Sequence, residues 1–96
     1  MDRLNRLDRA KLKDRILRFL LRNRNCEHYR FYAALGNPTL YIHDFLNIGL
    51  EIYRYEPHVM NIHAFANDIF FDGTDLTAIF LENGGFTKIE EDLEKN

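Results

Sequence analysis

Four cations recur along the first third of the chain, Lys11, Arg15, Arg18 and Arg22. At about 100° per residue they fall within a narrow arc of one helix face. Cations aligned in this way can neutralise successive phosphates and release their counterions. The stripe runs on into "RNRNCEHYRFY", residues 22–32, where Arg24 and Arg30 alternate with Tyr29, Phe31 and Tyr32. Aromatic rings so placed could stack on unpaired bases. The competing reading is plainer. A charged helix face keeps a surface wet, or docks on the acidic half of this chain or of a second one.

The remaining chemistry-bearing residues make weaker patterns. His43, Glu56, His58 and His63 carry ligand types but neither the cysteines nor the tight histidine spacing of a structural zinc site. No metal and no cofactor is expected from them. Cys26 is the sole cysteine, so no internal disulfide can form. Cys26 and His28 lie two apart on an expected helix and point away from each other, which excludes them as a nucleophile pair. His43, Asn47 and Glu51, with Asp44 beside them, form the polar stripe of another expected helix. Asn47 could read adenine, but Asp44 and Glu51 would repel phosphate.

The elements that must carry these residues follow from periodicity and punctuation. Leu12, Ile16, Phe19 and Leu20 predict a first helix from about Asp8, its N-cap, to Asn23. Asn25 caps a second, which ends at Gly36. Asn37-Pro38 opens a third, which runs to about Tyr53 or Tyr55 before Glu56-Pro57. Val59 to Phe65 and Ile69 to Phe71 read as two strands of a β-hairpin around Ala66-Asn67-Asp68, and Asp72-Gly73 turns the chain. Thr74 caps a fourth helix that reaches Asn83. The closing "LTAIFLENGGFTKIEEDLEKN" then holds Gly84-Gly85. Gly85 fits the left-handed position past a helix end, with Gly84 easing the turn, and this returns Phe86 to an apolar residue such as Leu81.

Ninety-six residues are expected to make a single domain, 1–96, with a loose acidic tail at 90–96. A chain of this length buries about two-thirds of its unfolded surface. It is 46% hydrophobic and 29% charged, ordinary globular usage. No run approaches the roughly 18 apolar residues of a membrane span, and the basic leader is not a secretory signal, so a cytoplasmic location is the expectation. The net charge of −2 hides an asymmetry. Residues 1–30 hold ten Lys/Arg against four acids, net +6, and residues 31–96 hold three against eleven, net −8.

Three N-terminal helices, a β-hairpin wing and a C-terminal helix make an α+β, winged-helix-like order. Thr74, Phe80, Leu81 and Gly84-Gly85-Phe86 add an echo. They resemble the ending of small single-domain bacterial winged-helix proteins, in which Thr-x-x-Gly-x-x-Phe-Leu precedes Gly-Gly-Phe. The match covers about residues 69–89, and Thr77 stands where that pattern has its glycine. The resemblance implies the fold and carries no catalytic residues; winged helices serve protein contacts as readily as DNA.

The sequence therefore leads to a non-enzymatic interaction or self-association module. It would use a basic first helix and an acidic C-terminal half, with Lys11, Arg15, Arg18, Arg22, Arg24, Arg30 and Tyr29 as contact residues. Its partner would be another protein chain, a second copy included, and not a membrane. The alternative is a nucleic-acid binder contacting through the same residues. Overall acidity and the acidic third helix favour the first.

Overall fold

The computed structural model describes residues 5–35, 41–66 and 68–94. Its elements are α1 (Arg6–Arg22), β1 (Cys26–Glu27), α2 (His28–Leu35), α3 (Ile42–Tyr55), β2 (Met60–Phe65), β3 (Asp68–Gly73), α4 (Thr77–Glu82) and α5 (Gly85–Glu94). The α+β class stands: helices pack on an antiparallel three-stranded sheet of order β1-β3-β2. No helix among the described residues is long and apolar enough to cross a membrane.

α1 is the central element. Ala10, Leu12, Ile16, Leu17 and Leu20 are buried along it and meet Phe45, Ile48 and Ile52 of α3, Phe71 of β3 and Phe86 of α5 in one core. The helix starts two residues before the expected Asp8. Asn5 is the N-cap, its side-chain oxygen accepting the Asp8 amide at 2.7 Å. Asp8 instead lies in the first turn, where its charge suits the positive end of the helix dipole.

Asn25 is not a helix cap. Its φ is 52°, a left-handed turn that asparagine tolerates better than most residues. The turn lets Cys26 and Glu27 pair with Phe71 and Phe70 of β3. β2 and β3 are antiparallel, with Ile62 opposite Phe71 and Phe65 opposite Asp68. Asp68 is therefore a strand residue rather than part of the turn. The chain does not turn at Asp72-Gly73 either; both still belong to β3. Gly36, Asn37-Pro38 and Asn67, expected as helix stop, helix start and turn, lie outside the described residues.

The largest departure is at the C-terminus. Residues 90–94, expected as a loose tail, are the last turns of α5. Gly84 and Gly85 both have positive φ, 106° and 61°, so Gly85 takes the expected left-handed conformation past the end of α4; unexpectedly, the pair leads directly into a further helix. Gly84 N–H donates to the Leu81 carbonyl at 3.0 Å, and Gly85 begins α5. Phe86 meets the Phe80 ring edge-on, 4.9 Å between centroids, and both Phe80 and Leu81 pack against the core that holds Phe86.

Candidate interaction face

The cations of α1 divide between two faces with different fates. On the inner face, Glu51 of α3 binds both Arg9 and Lys13, the latter at 3.1 Å, and Arg6 pairs with Glu90 of α5 at 3.2 Å. Lys13 is buried, its ammonium 5.3 Å from the Tyr55 ring centroid and 5.2 Å from that of Phe86. These residues, with Glu56 and Ile89, line a cleft of about 410 Å³ between α1, α3 and α5. Three cations there face three carboxylates, so the cleft offers an anion no net charge.

The outer face is different. Lys11, Arg15, Arg18 and Arg22 are all exposed, and none forms a salt bridge among the described residues. At 1.5 Å per residue the stripe is about 17 Å long. Arg15 reaches the Leu35 carbonyl at the end of α2, at 3.3 Å. Arg15, Arg18 and Arg22 rim a groove of about 430 Å³ that also includes Phe19, Asn23 and Leu35. Its walls are cationic and its floor is part apolar.

The other expected contact residues do not join this groove. Arg24 is drawn to the sheet, its guanidinium pairing with Asp72 at 2.6 Å and reaching the Gly73 carbonyl at 3.3 Å. The Asn25 amide donates to the same Asp72 oxygen at 3.0 Å. Burial pushes the Asp72 carboxyl up. The hydrogen bonds and charge of Arg24, with the amides of Asn25 and Gly73, outweigh that and hold it below the usual carboxylate range. Arg24 thus fixes the turn after α1 onto β3. Tyr29 and Arg30 are exposed in the first turn of α2, outside the groove.

Glu51 does not lie on an outward stripe of α3. It turns in to α1, which leaves His43 and Asn47 exposed and Asp44 half-buried on that helix. His63 stacks on Phe70, centroids 5.7 Å apart, and the His58 carbonyl accepts the Thr74 hydroxyl. Among the described residues no three His, Cys, Asp or Glu converge to hold a metal ion. Burial pushes the Cys26 thiol up, away from the thiolate a nucleophile requires.

Two residues to which the sequence assigns no structural role hold the C-terminal helices in place. Asp14, buried on α1, accepts the amides of Phe86 and Thr87 at 2.8 and 3.0 Å and the Thr87 hydroxyl at 2.6 Å. It caps α5 from another helix. Thr77 is fully buried; its hydroxyl donates to the Val59 carbonyl at 2.6 Å and accepts the Thr74 amide at 2.7 Å.

No family model matches the chain, and no curated protein or solved structure matches it.

Proposed function

We propose that the chain is a winged-helix-like, non-enzymatic interaction domain that docks an acidic surface of another protein chain on the outer face of α1. The winged-helix reading draws on the order α1-β1-α2-α3-β2-β3, in which β2 and β3 would be the wing, and on the Thr74, Phe80, Leu81 and Gly84-Gly85-Phe86 echo. One observation carries the docking. The fold neutralises its inner cations with Glu51 and Glu90 and leaves Arg15, Arg18 and Arg22 unneutralised around an apolar-floored groove. A polyanion needs only charge. A cationic rim over Phe19 and Leu35 suits an acidic segment that also presents apolar side chains.

A second reading, nucleic-acid binding through the same helix, gains from one finding. With Glu51 turned inward, α3 presents less negative charge than its sequence implies. The exposed Tyr29 and Arg30 would extend that contact.

NMR titration with a synthetic helical peptide of Glu and Leu tests the docking reading. Shifts should cluster on Arg15, Arg18, Phe19, Arg22 and Leu35 and vanish in Arg15→Glu with Arg22→Glu. Shifts centred on the sheet, or unaltered by the charge reversal, would contradict it.

A further inference from the structure

The sheet ends on an open edge. In the order β1-β3-β2, strand β2 pairs with β3 on one side and with no strand on the other among the described residues. Phe65 and Asp68 pair with only two residues between them, so they exchange both ladder bonds. Alternation then aims the N–H and C=O groups of Asn61, His63 and Phe65 at β3, and those of Met60, Ile62 and Ala64 outward. Among the described residues no hydrogen bond reaches those outward groups. Natural sheets blunt such an edge with lysine, proline, a bulge or a very short strand. β2 has none of these. Its six residues, "MNIHAF", include no Lys, Arg, Asp, Glu or Pro, and its register against β3 runs without a bulge. Phe65 at its end is 73% exposed.

We infer that β2 pairs antiparallel with β2 of a second copy of this chain, joining two three-stranded sheets into one. The occupant follows from the strand itself. An uncharged edge gives a charged partner nothing to read, and the acidic surface proposed for α1 calls for other chemistry. An antiparallel strand is complementary to its own copy about a two-fold axis, and one such contact closes at two chains. The outward groups also select the register. Ile62 opposite Ile62 on the axis sets Met60 against Ala64, so all three outward residues of each strand enter hydrogen-bonded pairs. A shift of one residue opposes groups already bonded to β3, and a shift of two leaves one of the three unpaired. In this register Asn61 of each copy stands directly opposite His63 of the other, in the closer, non-hydrogen-bonded type of pair. The contact is narrow, so the dimer forms and parts with concentration.

Sedimentation equilibrium over a concentration series tests this. Wild type should approach twice the 11.5 kDa chain mass by about 1 mM and fall to the single mass on dilution. Asn61→Lys with His63→Lys sets lysines face to face across the axis and should hold the single mass throughout. Asn61→Lys with His63→Glu sets Lys opposite Glu and should recover the double mass. Both side chains are exposed, so neither pair of changes disturbs the core. β2 shares no residue with the α1 groove, and Arg15→Glu with Arg22→Glu should leave the wild-type mass unchanged. Amide exchange needs only wild type. The Ile62 and Ala64 amides should be protected in the concentrated sample and exchange quickly on dilution, while those of Asn61 and His63 stay protected in both. A wild-type monomer at every concentration, whether or not its edge accepts a strand from some other protein, would overturn the inference. So would a dimer that survives the paired lysines, a Lys/Glu variant that stays monomeric, a mass that falls in the α1 variant, or Ile62 and Ala64 amides indifferent to concentration.

Discussion

Asp14 has the heaviest duty of any single residue. A buried carboxylate accepting three hydrogen bonds is worth more than an exposed cap, and removing it strands the Phe86 and Thr87 amides. Asp14→Ala should cost about 2–4 kcal/mol of stability in chemical denaturation. A Cβ on Gly85 would lie 2.8 Å from Asp14 Cγ, at a φ that L-residues resist. Gly85→Ala should therefore cost more than the ~1 kcal/mol of a left-handed residue alone. In an Asp14→Ala background the same change should fall back towards that value, so the two costs would not add. Gly84→Ala should also destabilise, since its Cβ would come within 2.6 Å of Lys88 Cδ at a φ of 106°. Equal costs for Gly85→Ala in both backgrounds would refute the coupling. The glycine pair was legible in the sequence as a place of unusual backbone. Asp14 was not, because its partners lie 72 and 73 residues away and nothing local marks them. Its spacing one turn before Leu17, on the flank of the buried arc, was the available signal.

At the scale of elements, two charge clusters fasten α1 to its neighbours. Glu51 joins α3 to α1, and without it Lys13 would be a buried, unpaired cation. Glu51→Ala should lower stability by about 2–4 kcal/mol. Glu91→Ala, on the exposed side of α5, should stay within about 0.5 kcal/mol in the same assay. Comparable losses would show that the inner pairs do not hold the helices. Asp72 joins the turn after α1 to β3, and its folded pKa is depressed. Such a group adds stability above its unfolded pKa, about 3.9, and loses it as pH falls through the lower folded value. The melting temperature of wild type should exceed that of Asp72→Asn at neutral pH, and the gap should close below about pH 4. A gap that persists into acid would exclude ionisation as its source. α1, α3 and the β2-β3 hairpin were legible in outline because hydrophobic period and turn residues agree there. β1 was missed because two residues carry no period, and only pairing with Phe71 and Phe70 makes Cys26 and Glu27 a strand. α5 was missed because "GGFTKIEEDLE" is acidic and opens on glycines; packing on α1, not propensity, makes it helical.

For the whole molecule, the charge asymmetry was legible and its use was not. Part of the acidic half meets the basic half inside one chain, through Glu51, Glu90 and Asp72. The sequence could not show which cations those acids would take, because Arg9 and Lys13 differ from Arg15 and Arg22 only in the face of α1 they occupy, and Arg24 lies in the turn beyond it. What remains is a cationic face about 17 Å long on a molecule of net negative charge. The proposed partner of that face is an acidic protein surface rather than a nucleic acid. Fluorescence anisotropy with labelled single- and double-stranded oligonucleotides, at low and physiological salt, tests that assignment most directly. No binding at micromolar protein is expected at either salt, and no difference between wild type and Arg15→Glu with Arg22→Glu. Micromolar or tighter binding that falls steeply with salt and disappears in that variant would contradict it.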